Sequence, residues 1–154
     1  MTAMPPWADE RAIETSTAAL LLSGVAAEIA ATTPRGQQAA FYRAVGARIA
    51  AIHPVGVVDD LAALTGAVNR VWMEYGSGEA RFEMAADGIV IIHNDAVRGL
   101  APLLGNATEG LMRPVLEGVY DAWLRPLGSS ADVTTWTLWW SEGEVRLKHG
   151  LRRG

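Results

Sequence analysis

The sequence predicts an α+β domain, with N-terminal helices and one later helix packed on an antiparallel sheet of two hairpins. Three observations carry this. Apolar residues recur every three or four positions through the first half and again over 112–123, the spacing of helices buried on one face. Around residues 79–93 and 135–149 the period changes to two, the alternation of half-buried strands. Turn signals, Asp87-Gly88 and Glu142-Gly143, sit at the centre of each alternating stretch, so each reads as a hairpin.

The first helix is expected over 8–31, with Ile13, Leu21, Leu22, Val25 and Ile29 on one face. Thr33-Pro34 then reads as an N-cap followed by proline at the first helical position, opening a second helix whose stripe is Tyr42, Val45, Ile49 and Ile52. His53-Pro54 stops it, and Val55-Gly56 breaks the pattern. Asp59 and Asp60 occupy the start of a third helix, where the dipole favours negative charge, and Leu61, Leu64, Val68, Val71 and Tyr75 continue it up to Gly76-Ser77-Gly78.

In the first hairpin Ala80, Phe82 and Met84 alternate with Glu79, Arg81 and Glu83, and Ile89, Val90, Ile91, Ile92 and His93 form a second strand apolar on both sides. A loop over 94–108 leads to a fourth helix. There Met112, Val115, Leu116, Val119, Tyr120 and Trp123 make the buried stripe, and Arg113, Glu117 and Asp121 are expected to face away. Because proline lacks an N–H, Pro114 is placed in the first turn, so the helix should start within 110–113 and end before Pro126 and Gly128. In the last hairpin Trp136, Leu138 and Trp140 alternate with Thr135, Thr137 and Trp139, which sets Trp139 opposite the other two tryptophans.

The 154 residues make one domain, 1–154, large enough to bury roughly 70% of the surface its unfolded chain exposes. Half the residues are apolar and the mean hydropathy is +0.14, so apolar surface should be left over for a partner, most simply a like subunit. A net charge of −4 argues against nucleic acid or anionic lipid as ligand. The absence of cysteine leaves the redox compartment open. The apolar run over 18–31 is interrupted by Glu28, follows acidic rather than basic residues and is shorter than the ~20 residues a bilayer requires. We therefore expect no signal peptide, no transmembrane segment and a cytoplasmic protein.

Candidate chemistry is sparse. There is no phosphate loop, dinucleotide fingerprint or metal-ligand pair, and no metal or cofactor is expected. His93 and His149 lie at strand ends, where a hydrogen-bonded structural role outweighs catalysis. His53 reads as a helix C-terminal residue, and Asp59-Asp60 as capping rather than a paired-carboxylate site. Tryptophan is the anomaly: of six, three fall within 136–140. A strand with large aromatics on two faces must be covered on both, so Trp136, Trp139 and Trp140 are assigned to a subunit interface ahead of a sugar-stacking surface.

Several separated segments resemble the D-subunit family of bacterial cellulose synthase, known as cellulose synthase operon protein D. The helix containing Pro114-Val-Leu-Glu-Gly118, Tyr120 and Trp123 is similar to that family's Pro-Val-Leu-Glu-Gly-hydrophobic-Tyr-x-x-Trp segment. Gly46-Ala-Arg48-Ile49 resembles its Gly-x-Arg-Ile, and Leu61, Leu64 and Asn69 its Leu-rich helix with an Asn. Tyr75-Gly76 stands where it has Trp-Gly, and Ile91-Ile-His93 resembles its Ile-Val-His strand. The likeness runs from about 45 to 123. It implies a non-enzymatic accessory subunit of cellulose synthesis: an octamer, built as a tetramer of dimers, that conducts nascent β-1,4-glucan and orders it for export and crystallisation. It also implies partners among the components of the synthase complex, a proline-rich accessory protein, and a site near the inner-membrane complex, with the periplasm as alternative. N-terminal segments line the family's passages, which would put Trp7, Asp9, Glu10 and Arg11 near the glucan. The rival readings are a small acidic secretion chaperone for an unfolded client and a small hydrolase built on His93 or His149.

Overall fold

The helical spacing of the first half folds as three helices: α1 (Thr17–Thr32), α2 (Arg35–Ile52) and α3 (Leu61–Glu74). The computed structural model describes residues 17–152, so the 8–16 part of the expected first helix lies outside the described residues. On α1, Leu22, Ala26 and Ile29 pack against the core while Leu20, Leu21 and Val25 stay exposed. The single face expected for Leu21, Leu22, Val25 and Ile29 is thus two adjacent stripes, one inward and one outward.

Pro34 is extended (φ −58°, ψ 148°), so α2 begins one residue later than expected and Thr33 does not cap it. Instead Gln38 Nε2 donates to the Thr33 carbonyl at 2.5 Å. The buried side of α2 is Tyr42, Gly46 and Ala50, while Val45 and Ile49 are half-buried and Ile52 is exposed. Tyr42 keeps its expected buried place, and at Gly46 and Ala50 small residues take the inner face because α5, described below, passes too close to Gly46 for a large one. At α3 the expected cap is present: Asp60 accepts from the Ala63 N–H at 2.7 Å. Leu64 and Val68 are buried as predicted, but Trp72 completes the stripe and Tyr75 is exposed.

Both hairpins form, as β1 (Glu79–Ala85) with β2 (Gly88–Asn94) and β3 (Val133–Trp140) with β4 (Glu144–Leu151). They join through β2 and β4 into one antiparallel sheet of order β1-β2-β4-β3. The loop over 94–108 contains a short helix, α4 (Ala101–Leu104), and Ala96 and Val97 are buried in it.

α5 spans Thr108–Leu124, starting before the expected 110–113, so Pro114 is inside the helix rather than in its first turn. Glu109 in the first turn, paired with Arg113, favours the earlier start. The proline withholds one N–H from the carbonyl of Gly110, which is exposed and open to water. Glu117 does not face away: it is buried, as is most of the helix. α5 packs on β3 and β4, α3 packs on β1, and α2 packs against α5. The core between them includes Tyr42, Val68, Trp72, Ile91, Leu116, Val119, Tyr120, Trp123 and Leu147.

The α2–α5 contact uses two glycines reciprocally. A β-carbon on Gly46 would collide with the Val115 carbonyl and the Val119 nitrogen, and one on Gly118 would collide with the Arg43 carbonyl. Backbone cannot yield as a side chain tip does. Gly118→Ala should therefore lower stability by about 3 kcal/mol. Gly66→Ala, on the open face of α3 where nothing lies within 4 Å, should raise it by about 0.5–1 kcal/mol. Urea midpoints of the two variants check the pair.

Candidate functional site

Two polar networks and one aromatic surface hold the residues with chemical potential. The first network lies between α3, β2 and α5. Trp72 Nε1 donates to Tyr120 Oη at 3.0 Å, Tyr120 Oη donates to His93 Nδ1 at 2.8 Å, and His93 Nε2 donates to the Ser77 carbonyl at 2.7 Å. A carbonyl only accepts, so the proton of the neutral ring is on Nε2, and each polar atom of the chain of bonds has a partner. His93 is fully buried, with Trp72 and Tyr120 ringing it. Burial pushes its pKa down to about 4, against smaller opposing effects from the Ser77 hydrogen bond and the Asp95 charge. An imidazole occupied at both nitrogens and closed to solvent holds the fold and has no open atom for substrate.

The second network joins α2, α5, β3 and β4. Arg43 pairs with the buried Glu117, whose other oxygen accepts from Thr137 N–H at 3.2 Å and from the Thr137 hydroxyl at 2.9 Å. Arg43 also donates to the Thr135 carbonyl at 3.2 Å, and Arg125 to the Val133 carbonyl at 2.8 Å. β3 is an edge strand, and alternate residues of an edge direct their peptide groups away from the sheet. At 133 and 135 the carbonyl, and at 137 the N–H, is taken by a charged side chain, and the 133 N–H bonds back to the Ser130 carbonyl, so this edge is partly closed.

Behind that edge, the Thr135 hydroxyl donates to Asp121 at 2.9 Å and lies 2.7 Å from His149 Nδ1, while Ser129 Oγ lies 2.6 Å from His149 Nε2. With its own proton on Asp121, Thr135 must accept from Nδ1–H, which leaves Nε2 to accept from Ser129. Burial lowers the His149 pKa, and the nearby Asp121 opposes it. Burial works to raise Asp121, but hydrogen bonds from Arg125 and Thr135 prevail and hold it below the usual carboxylate range. The serine–imidazole pair is the arrangement a hydrolase would need. Here a threonine separates the ring from the acid, and the ring is 4% exposed. Two open concavities among the described residues, one at Asp95, Arg98, Pro102 and Glu142 and one between α2 and α5, are lined by neither Ser129 nor His149. The relay clamps the 129–135 segment to α5.

The aromatic surface departs from expectation. A β-bulge at Leu138 shifts the register, so Trp136 pairs with Lys148, Trp139 with Arg146, and Trp140 with Val145. Leu147 and Val145 face the core, which puts Trp136 and Trp139 together on the sheet face away from the helices and turns Trp140 inward against the core. The predicted opposition of Trp139 to Trp136 is thereby corrected, while its opposition to Trp140 holds: the extra bulge residue moves both Trp139 and Trp140 across the sheet. On that outer face Ile92 is buried outside the main core, between Arg81 and Arg146, and Arg152 lies over the Trp136 ring at 5.7 Å. Trp139 remains 59% exposed. Trp7, Asp9, Glu10 and Arg11 lie outside the described residues. Among the described residues no cluster of His, Asp or Glu is placed to hold a metal, and no helix is long and apolar enough to cross a membrane.

Sequence reasoning missed Arg43, Glu117, Thr135 and Ser129. Their signal, polar residues on an otherwise apolar interface, is invisible until the partners are known. A pH dependence follows. His93 binds its proton less readily folded than unfolded, so the stability it confers is complete above its ordinary pKa near 6.5 and is lost as pH falls toward 4. His149 acts in the same direction. Urea unfolding between pH 7 and 4 should show a loss of about 3 kcal/mol from His93 alone, given ~1.4 kcal/mol per pKa unit.

The segments that carry the family likeness meet in this fold. Gly46 and Gly118 face each other across α2 and α5, and Asn69 binds Ala80 of β1 through both its amide groups, at 2.7 and 2.8 Å. No curated protein matches the chain at a significant level. The family model for the cellulose synthase D subunit matches residues 10–150, taking in the tryptophan hairpin and α1 as well as the segments from 45 to 123. The chain belongs to the cellulose synthase D-subunit family and thereby to the accessory subunits of bacterial cellulose synthesis.

Proposed function

We propose that the chain is a non-catalytic subunit whose work is done by self-assembly: an octamer, arranged as a tetramer of dimers, that spaces and directs nascent β-1,4-glucan chains on their way to export and crystallisation. The observation that carries this is the combination of a silent interior with a greasy exterior. The buried histidines are spent on internal hydrogen bonds, while Leu20, Leu21, Val25, Leu138 and Trp139 are each at least half exposed on α1 and β3. Closed symmetry with more than one kind of contact needs more than one sticky face, and the described residues offer one on the helical side and another on the sheet. Trp136 and Trp139 form one subunit contact, and Trp140, turned inward, supports it from the core side.

The protein acts beside the synthase complex, on the cytoplasmic side of the inner membrane, with a proline-rich accessory protein as a further partner. Trp7, Asp9, Glu10 and Arg11 meet the glucan inside the assembly. No covalent step is required. Confinement fixes where chains emerge and in which direction, and alignment follows from proximity.

Sedimentation at micromolar concentration is expected to give eight times the 16.4 kDa chain mass, and a stable particle of one chain would overturn the proposal. Trp139→Asp should reduce that mass while leaving the circular dichroism spectrum unchanged, since the ring lies outside the core. Deleting the gene should lower the yield and fibre order of cellulose; unchanged cellulose counts against the function even if the octamer forms.

A further inference from the structure

The groove between α2 and α5 is lined by Gly36, Ala39, Ala40, Ala44 and Ala47 of α2 with Gly118 and Ala122 of α5, together with the ion-paired Arg43 and Asp121, and encloses about 570 Å³. Gly36 to Ala47 is twelve residues, so the floor runs roughly 18 Å along the helix. The same chain carries the matching shape. On α1, Leu21 and Val25 form a ridge exposed by 64% and 50%, adjacent to the Leu22, Ala26 and Ile29 stripe that holds α1 to its own core, and Leu20 beyond Leu21 is exposed by 73%. Large aliphatic knobs over a floor of glycine and alanine let two helix backbones approach closely, the geometry of ridge-into-groove packing.

Charge supports the same partner and sets its direction. Glu28 follows Val25 by three residues on the outer side of α1, and its carboxylate has no ion-pair partner among the described residues. Arg35, also exposed and without such a partner, stands at the Gly36 end of the groove. An incoming α1 that ran antiparallel to α2 would lay Leu21 and Val25 over the alanines and bring Glu28 toward the Arg35 end. That is the sense in which α1 and α2 of one chain already run, joined by the turn at Thr33 and Pro34.

We propose that the α2–α5 groove receives α1 of a second copy, and that the exchange is mutual, so that the two α1–α2 hairpins make a four-helix layer about a two-fold axis. This rests on self-association and names one of its contacts. The pairing is self-complementary without being ridge on ridge, and it lies on the helical side, leaving the Trp136 and Trp139 face for a different contact.

The chain has no cysteine, so single cysteines report contacts without background. Val25→Cys and Ala44→Cys, each at an exposed position, are made separately and also co-expressed with distinguishable tags, then treated with a short bis-maleimide. The expected result is a covalent pair at twice 16.4 kDa in the co-expressed sample and none in either variant alone. Linkage of Val25→Cys to itself would mean that ridges meet each other, and linkage of Ala44→Cys to itself that grooves do. Either outcome overturns the proposal, as does absence of the mixed pair while sedimentation still shows an assembly. A wild-type chain that sediments as one copy removes self-association itself, so the two failures are distinguishable.

Discussion

The close approach of α2 and α5 is the constraint on which the rest depends. Gly46 and Gly118 each sit where the other helix's backbone passes, so the two helices touch main chain to main chain. That spacing decides what the flanking side chains reach. Arg43, on the turn before Gly46, comes within reach of Glu117 beside Gly118, and of the Thr135 carbonyl beyond it. A helix held an extra methyl's width away would leave Glu117 buried without its cation, the costly half of a broken ion pair. Glycine, otherwise a poor residue for a helix interior, is tolerated at these positions because the contact it permits outweighs its propensity cost.

The same contact settles how the sheet ends. Strand edges invite pairing with other chains, and β3 has the composition to do so: it is rich in threonine and tryptophan, without proline or charge. Arg43, Glu117 and Arg125 each occupy one of its outward peptide groups, and the bulge at Leu138 interrupts the remainder. Growth by edge-to-edge addition is thereby discouraged. What stays open is the outer face of the sheet and the exposed apolar surface of α1, the faces to which the proposed self-association is assigned.

The α+β class, the order of the helices and both hairpins are legible in the sequence because each rests on a local period that burial imposes. The Asp60 cap and the Asp87-Gly88 turn are legible for the same reason: the residue itself supplies the bond or the backbone angle. Glu117 escapes such a reading because a charged residue on an apolar helix normally faces water, and only the arrival of Arg43 from 74 positions away reverses that. The stripe of α2 escapes it because large apolar residues ordinarily point inward, whereas the tightest contact selects the smallest. Trp139 falls on the other face because one bulged residue inverts every side chain after it, and a bulge leaves no mark in the alternation of Thr, Trp and Leu. Family likeness is legible where no site is, since its segments are packing elements.

The nature of those shared segments bears on what kind of protein this is. They are the glycines of a helix crossing, an asparagine that clasps an edge strand, and a histidine buried against tyrosine and tryptophan. None of these side chains offers a free polar atom to a substrate, and all of them fix the relative positions of helices and sheet. No buried side-chain polar atom among the described residues lacks a partner. A rigid interior with its polar groups fully paired serves a protein whose outer surfaces must keep a constant angle to one another. In the assembly proposed above, a small error in that angle would be multiplied at every repeat, which is the demand a main-chain contact such as the α2–α5 crossing meets.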